Sequence, residues 1–461
     1  MKTTAVLVGL IAIGCSTSEP PPVDPAWPYP QIPEEEQRTG DPARGYDYLV
    51  NGGYITCGIP KSVYDSVVTP GDSGIPGRTG DNAMLPYNFS AATSAEGVRV
   101  VSANCLQCHA GSINGQLVIG LGAADADFTA DRSEFVDLAG NFSMSTMERA
   151  AYNRFADRMR AIGPYTQTKT IGANPADNLT AVLMSHRDPA TLAWSATPQL
   201  PLPPAIVAPV DVPPWWRMAK KTSMFYTAGG RGDHARIMMA AALLCTESVE
   251  EARAIDAAFV DVRAWIMSMP VPKWPFPLDA ALVEQGKPIF QATCSRCHGT
   301  YGEDGYYPNE IVPIEEVGTD STLAAGASQF SDRFVEWFAA SFWGETSRLD
   351  PQEGYVPPPL DGIWATAPFF HNGSVPTLAA VLDSKKRPGA WTRTFDSNLY
   401  DQAAVGWKFT PTGLQSAEPN EAKRVRIYDT TNLGYGNQGH IYGDDLTAEE
   451  RLAVLEYLKT L

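Results

Sequence analysis

The sequence predicts a mainly α-helical protein made of two tandem domains with long loops and little sheet. Capping boxes open amphipathic segments at Ser145, Ser248 and Thr447, and no alternating apolar run is long enough for a real sheet. The 39 glycines and 38 prolines favour long loops. One short cysteine and histidine pattern occurs twice, 189 positions apart, which assigns one copy to each domain.

The repeated pattern is Cys-x-x-Cys-His, at residues 105–109 and 294–298. Each copy offers two thiols for thioether bonds to haem vinyl groups and an adjacent histidine for the iron. Structural zinc is the rival, but it needs four closed ligands, and each copy carries its own histidine instead. The sequence therefore predicts two covalently bound haem c groups on Cys105, Cys108, Cys294 and Cys297, with His109 and His298 as proximal iron ligands.

Four segments are predicted along the chain: a signal peptide (1–15), a Pro/Ser-rich tether (16–40), an N-terminal haem domain (41–270) and a C-terminal haem domain (271–461). Prolines within residues 269–277 forbid a helix there and mark the domain boundary. The second domain has the layout of a class I cytochrome c, in which the helix before the haem motif crosses the final helix.

Haem attachment of this kind resembles that of bacterial cytochromes matured outside the cytoplasm. Lys2 and the apolar run at residues 5–13 suit a signal peptide, and residues 11–15 look like a lipobox that makes Cys15 the lipidated first residue. A plain secretory signal with an incidental cysteine is the alternative. We expect a lipid-anchored protein of the bacterial cell envelope, on the periplasmic side or at the outer membrane.

The chain is acidic, with a formal net charge of -17. This charge argues against nucleic acid and against direct adhesion to anionic lipid, so membrane contact is expected through the lipid alone. A small redox protein with a basic surface is the expected electron donor or acceptor. Cys57 and Cys245 remain after the motifs and Cys15, either as a disulfide or as two buried thiols.

Four further histidines are free to shape the iron sites. His186 lies among polar residues and is expected at the surface, and His440 follows a Gly-rich turn, where a surface or propionate-contacting role is expected. His234 follows Asp233, a candidate N-cap, and is a candidate distal acid-base group at the first haem. Trp215 and Trp216 are candidates for the distal wall of that haem, with a plain core role as the alternative. The same stretch holds three basic residues that would neutralise haem propionates: Arg217, Lys220 and Lys221.

Residues 359–378 resemble the second-haem loop of the bacterial di-haem cytochrome c peroxidase superfamily. The version His-Asn-Gly-Ser-Val-Pro-Thr-Leu at residues 371–378 is similar to that of the di-haem rubber oxygenases, and the closing residues 434–440 also match. The resemblance implies that His371 is the distal ligand of the second haem. The alternative is a loop histidine hydrogen-bonded to backbone. The resemblance also implies an electron relay between the haems through a tryptophan, here Trp215 or Trp216.

Two functions follow. The first is an oxidoreductase that uses peroxide or dioxygen, or a small apolar substrate, at an open N-terminal haem, while the C-terminal haem relays electrons. The second is a non-catalytic electron-transfer lipoprotein with two six-coordinate haems. In that case a methionine thioether would complete the first iron, and four methionines are candidates: Met218, Met224, Met238 and Met239.

Overall fold

The computed structural model describes residues 29–329 and 331–461, in which helix outweighs strand at 39% against 13%. The prediction of a mainly α-helical fold is confirmed at this level. The helices are α1 Pro42–Asn51, α2 Lys61–Val67, α3 Arg132–Ala139, α4 Thr146–Ile162, α5 Ala176–Ser185, α6 His234–Met238, α7 Val249–Met267, α8 Ala280–Thr293, α9 Ser295–His298, α10 Ile314–Val317, α11 Thr322–Gln329, α12 Ser331–Ala340, α13 Leu378–Val381, α14 Glu421–Arg424 and α15 Ala448–Leu458.

Strands are short and form small antiparallel sheets of two or three members. They are β1 Ile59–Pro60, β2 Phe89–Thr93, β3 Arg99–Ala103, β4 Ala110–Ile113, β5 Gln116–Ile119, β6 Gly230–Gly232, β7 Val312–Pro313, β8 Ser347–Leu349, β9 Gly354–Tyr355, β10 Ala390–Arg393, β11 Tyr400–Asp401, β12 Gly406–Trp407, β13 Phe409–Pro411 and β14 Ile427–Asp429. The three-stranded sheets have the orders β1-β3-β2 and β13-β10-β14.

The helix starts that were predicted from capping boxes are confirmed. Ser145 and Thr447 each accept a hydrogen bond from the backbone N–H three residues on, and the glutamate at that position bonds back. Ser248 caps α7 by accepting from the Glu251 N–H. Such caps satisfy backbone donors that the first turn of a helix leaves without partners, which is why they mark helix starts so reliably.

Each half of the chain is closed by a crossing of its first and last long helices. In the second half α8 crosses α15, as predicted, and a Cβ at Gly286 would lie 2.0 Å from the Ala453 carbonyl oxygen. In the first half α1 crosses α7, where a Cβ at Gly45 would lie 1.9 Å from the Asp261 carbonyl oxygen. Glycine is therefore required at both crossings, because no larger residue allows so close an approach.

Part of the hydrophobic core of the first half consists of side chains from the second half. Trp337 and Trp343 pack into the core cluster that also holds the N-terminal helices, and β8 pairs with β6. The Trp337 indole donates to the Arg187 carbonyl at 2.8 Å, and the Trp343 indole to the Arg236 carbonyl at 3.0 Å. The division into domains at residues 270 and 271 stays a prediction, and residues 331–349 pack across that boundary.

The described part of the predicted tether, residues 29–40, is packed against the body of the protein rather than free of it. Ile32 is buried, and its N–H donates to the Asn309 carbonyl. Further along, Arg38 forms a salt bridge with Asp256 at 2.7 Å, so this stretch joins both halves. A spacer would make no such contacts. The predicted signal peptide, the lipidation site Cys15 and residues 16–28 of the tether lie outside the described residues.

Candidate haem-binding sites

The first Cys-x-x-Cys-His motif lies between two β-hairpins. Residues Cys105–Gln107 form one turn of 3-10 helix, capped by the Asn104 side chain, which accepts from the Leu106 N–H at 2.8 Å. The His109 N–H donates to the Cys105 carbonyl at 3.0 Å. This turn brings both thiols and the imidazole to one side of the chain, as attachment of one haem requires.

The His109 ring is enclosed and stacks on an indole. Burial lowers the pKa of His109 to about 4, which keeps the imidazole neutral, the form that binds iron. The Trp215 ring lies against it with 4.7 Å between ring centres and 21° between planes. The Trp215 indole therefore contacts the histidine that would hold the first haem iron.

The second motif lies between helices, directly after α8. The His298 Nδ1–H donates to the Pro358 carbonyl at 2.9 Å, and the Tyr301 hydroxyl donates to the His298 carbonyl at 3.1 Å. The first bond fixes the tautomer and leaves Nε2 for iron. Burial lowers the pKa of His298 to about 4, so this imidazole is neutral as well.

A second imidazole faces His298. The ring of His440 lies with its centre 6.0 Å from the centre of the His298 ring, at 60° between planes. A metal–imidazole bond of about 2 Å on each side of an iron would separate two ring centres by about 6 Å. Burial, first of all, and the neighbouring His298 lower the pKa of His440 to about 3. His298 and His440 are therefore close enough that both could hold one haem iron.

The structure places the ring of His440 beside the second motif, and its surface or propionate-contacting role stays a prediction. Its N–H donates to the Val317 carbonyl at 2.7 Å and its carbonyl accepts from Arg387 at 2.9 Å, so the backbone is held inside the fold. The ring contacts Phe370 at 5.7 Å and Tyr442 at 5.2 Å between centres. The Gly-rich turn brings His440 next to His298 and leaves the residue partly exposed.

His371 lies elsewhere in the interior. Its ring stacks on Tyr355 at 4.2 Å and meets Tyr226 edge-on at 6.2 Å, and its carbonyl accepts from the Asp211 N–H at 2.7 Å. Among the described residues it makes no ring contact with His298. The expectation that His371 is the distal ligand of the second haem therefore has no contact in its support.

The two adjacent tryptophans point in different directions. Trp215 stacks on His109. Trp216 donates from its indole N–H to the Asp361 carbonyl at 2.8 Å and packs with the core of the second half. Their place in the distal wall of the first haem stays a prediction. Arg217 and Lys220 bind the same residue, Asp361, at 3.0 and 2.9 Å. Trp215 and Trp216 together thus connect the first motif with the loop at Asp361.

Neither remaining histidine reaches the first motif. His234 is 2% exposed at the start of α6, and both its ring nitrogens are enclosed without a hydrogen-bond partner. Its acid-base role stays a prediction. Burial and then the positive charges of Arg263 and Lys221 lower its pKa to about 4. The prediction that His186 is exposed is wrong: it is buried and stacks on Trp194 at 4.8 Å.

The cysteines separate into two classes. Cys57 and Cys245 form a disulfide with Cα atoms 5.2 Å apart, which decides the question left open by the sequence. Cys105, Cys108, Cys294 and Cys297 remain free thiols, as haem attachment needs. Within the described residues, no cluster of three or more histidine, cysteine or acidic side chains is arranged to hold a metal ion.

Sequence reasoning undervalued His440 and missed Pro358. The signal for His440 was present in the glycines at residues 434, 436 and 439, which let the chain turn back into the interior. Pro358 lies in a proline run at residues 357–359, whose carbonyls have no helical or strand partner and are free to accept from a histidine. Nothing in the sequence indicated the stacking of Trp215 on His109.

A short stretch of the chain matches a known family. Residues 354–392 match the family described as RoxA-like, cytochrome c-like, a range that includes Pro358 and His371 but neither cysteine motif. The match relates the chain to haem-binding cytochromes of the electron-transfer class and implies covalently bound haem c.

Two curated relatives come from Sinorhizobium fredii (strain NBRC 101917 / NGR234), and both are named uncharacterized proteins. The relative y4iM is 30% identical over 209 residues, covering 39% of this chain and 45% of its own length. The relative y4iJ is 28% identical over 258 residues, covering 41% of each chain. The chain therefore spans less than half the length of the curated relatives it matches.

Proposed function

We propose that this protein is a di-haem c-type cytochrome of the bacterial cell envelope and an oxidoreductase. It uses peroxide or dioxygen at the N-terminal haem, and the C-terminal haem relays electrons. The proposal places it in the cytochrome c peroxidase superfamily, nearest to its rubber-oxygenase-like branch. The match of residues 354–392 to RoxA-like, cytochrome c-like sequences supports the general class.

The observation that carries the proposal is the unequal surroundings of His109 and His298. His298 has a facing imidazole, His440, at a distance that fits one iron between them. All six histidines of the chain are among the described residues, and none of the others makes a ring contact with His109. Two strong axial ligands make a haem an electron carrier, whereas one ligand leaves a face for a small molecule.

The chain's own residues divide the work accordingly. When bound, haem c supplies the one-electron redox chemistry and a face that takes a small oxidant. Cys105 and Cys108 would hold the first haem, and the stacked Trp215 ring would orient the His109 imidazole that binds its iron. Near this attachment a small cavity of about 30 Å³ lies between β4–β5 and the second half, with Leu121, Tyr400 and Trp407 in its lining.

A continuous route joins the two motifs. Trp215 touches His109, and its neighbour Trp216 bonds to the Asp361 carbonyl. The adjacent Leu360 N–H donates to the Tyr301 hydroxyl, and that hydroxyl bonds to the His298 carbonyl at 3.1 Å. This chain of contacts supports the electron relay that the resemblance implies, with Trp215 and Trp216 as its first members.

The specific alternative is a carrier with two six-coordinate haems. Met218 and Met238 pack against the cluster that contains Trp215 and Leu106, and Cys105 borders the same cluster. A thioether from either methionine would occupy the remaining coordination position of the first iron, so that no oxidant could bind there. This arrangement keeps the electron-transfer lipoprotein as the second candidate.

The test is a spectrum of the purified full chain. We expect one high-spin and one low-spin ferric haem by electron spin resonance, and carbon monoxide binding by one ferrous haem. Two low-spin haems without carbon monoxide binding would replace the oxidoreductase with the carrier. The loss of all haem on acid acetone extraction would contradict both, because thioether bonds resist that treatment.

The cellular location is part of the proposal. Within the described residues no helix has the length and apolar character needed to cross a bilayer. We propose that Cys15 carries a lipid anchor and that the folded body faces the periplasm or the outer membrane. The Cys15→Ala variant is then expected in the soluble fraction, because one or two lipid chains would supply all of the membrane affinity. Membrane association of that variant would contradict the anchor.

A further inference from the structure

The indole that stacks on His109 contacts a second indole, and that one leads to the surface of the first half. The Trp215 ring lies 4.7 Å from the His109 ring, and the Trp265 ring meets Trp215 edge-on with 6.2 Å between centres. The Tyr46 ring follows, with its centre 5.2 Å from that of Trp265. We call this line of rings the Tyr46 route, and it comprises His109, Trp215, Trp265 and Tyr46.

The outer end of the Tyr46 route is open to solvent. Trp215 is 6% exposed, whereas Trp265 and Tyr46 are both partly exposed. The Tyr46 hydroxyl lies at the surface and donates to the Pro76 carbonyl at 2.7 Å. Gly77 lies beside one edge of the ring, and even a Cβ there would be 3.4 Å from the ring carbon Cε1. Because Gly77 has no side chain, a small group in solution can approach this edge.

Helix packing fixes the outer rings of the route. Tyr46 lies on α1 and Trp265 on α7, the two helices that approach closely at Gly45. The loop beside Tyr46 is tied to the end of α1 by the Asn51 amide, which donates to the Gly77 carbonyl at 2.9 Å. The rate of electron transfer falls steeply with distance, so a fixed separation between neighbouring rings favours transfer along the line.

The composition of the route suits single-electron oxidation. Indole and phenol rings are among the side chains that lose one electron most readily, and the route has two indoles followed by a phenol. Electrons from the surface therefore have a path to an oxidised centre held by His109. Trp215 is a branch point, because its neighbour Trp216 leads through the Asp361 carbonyl toward the second motif.

We infer that Tyr46 is a surface oxidation site, at which phenols in solution each lose one electron while peroxide is reduced at the first haem. The inference rests on the proposed function and names a class of donor that needs no entry to the interior. It adds a way for electrons to reach the first haem that does not pass through the second.

The electrons and atoms of this reaction balance. When Tyr46 is oxidised, its electron moves inward along the route and its hydroxyl proton passes to water. The O–H bond of a phenol then breaks, its hydrogen atom restores Tyr46, and a phenoxyl radical leaves. Two phenols supply two electrons and release two protons, and peroxide takes up the same number as its O–O bond breaks and two waters form. A phenol with an electron-releasing substituent loses its hydrogen atom more readily than tyrosine does, which favours this direction.

The experiment treats the full chain, with both haems attached, with peroxide and a phenol that is too large to enter the interior, tyramine coupled to dextran. Tyr46→Phe and Trp265→Phe keep a ring in place but remove the group that is readily oxidised. Tyr87→Phe and Trp274→Phe are the matched controls. Both control residues are partly exposed, and among the described residues neither makes a ring contact with the Tyr46 route.

We expect both route variants to lose oxidation of the dextran probe and both controls to retain it. Samples frozen rapidly after peroxide addition should show a tyrosyl radical by electron spin resonance, and Tyr46→Phe should lack that signal. The ferric spectra before peroxide should be the same in all variants, since no iron ligand is changed. Retained oxidation of the probe in Tyr46→Phe, an unchanged radical signal in that variant, or equal loss in the controls would overturn the inference.

The response of the haems to peroxide distinguishes this inference from the proposed function. If peroxide leaves both haem spectra of the unmodified chain unchanged, the use of peroxide in the proposed function fails. If peroxide oxidises the haems, but neither the radical signal nor oxidation of the probe depends on Tyr46, only the surface oxidation site fails. The variant Cys105→Ala with Cys108→Ala should lose the radical, because the route then begins at a histidine without its haem.

Discussion

The two Cys-x-x-Cys-His motifs share a pattern and differ in everything around it. The first lies between hairpins, and an indole lies against its histidine. The second lies between helices, where His298 bonds to the Pro358 carbonyl and lies next to the His440 imidazole. The motif therefore specifies attachment, and residues far away in the chain set what each iron would do.

The frameworks of the two halves are more alike than their sites. Each half closes with a helix crossing at a glycine, at Gly45 in one and Gly286 in the other. The halves differ again in covalent bonding, since the Cys57–Cys245 disulfide lies in the core of the first half. A similar closing arrangement can thus carry different local chemistry.

The strongest test of the comparison removes one attachment site at a time. Cys294→Ala with Cys297→Ala should lower the haem content from two per chain to one and abolish the low-spin signal. Cys105→Ala with Cys108→Ala should also leave one haem but abolish carbon monoxide binding. The haemochrome assay and the spin-resonance spectrum check both. Loss of the same signal from both pairs would show that the sites do not differ as proposed.

A second test decides between two histidines for the second iron. His440→Ala should convert the low-spin haem to high-spin and leave attachment intact, because it removes an axial ligand. His371→Ala is the matched variant, and we expect its spectrum to stay low-spin, since His371 packs on Tyr355. The reverse result would restore the ligand implied by the family resemblance.

Removing the disulfide should affect the first half more than the second. Cys57→Ala with Cys245→Ala opens a covalent link across 188 positions, and we expect a loss of about 2–5 kcal/mol in the free energy of unfolding. Denaturant titration, followed by the two haem spectra, measures it. If the denaturant midpoints reported by the two haem spectra fall by the same amount, the two halves unfold as one unit.

The smallest effects come from the two helix crossings. Gly45→Ala and Gly286→Ala should each cost about 1–3 kcal/mol, because the new methyl group would meet a backbone carbonyl. Gly326→Ala is the control, since the helical Gly326 faces open space and alanine favours helix. Melting temperatures of the three variants check this order. If Gly326→Ala lowers the melting temperature as much as the other two variants do, close contact at the helix crossings does not explain the loss of stability.

The sequence predicted local structure better than it predicted the sites. Capping boxes at Ser145 and Thr447 and the crossing of α8 with α15 depend on nearby residues or on a regular helix face. The second ligand of an iron depends on which loop folds back to the haem motif. No periodicity in the sequence between His298 and His440 predicts that contact. The stacking of Trp215 on His109 is of the same kind, because it joins residues far apart in the chain.

The placement of residues 331–349 has a consequence for biogenesis. The core around Trp343 and the pairing of β6 with β8 can form only after residues 337–349 have been synthesised. The ribosome adds these residues after both haem motifs. During synthesis the first motif would therefore emerge on an incompletely closed body, where its cysteines would be open to haem attachment. Final closure around it would come with the arrival of residues 347–349. The order of synthesis and the order of haem attachment would in this way be coupled by β8.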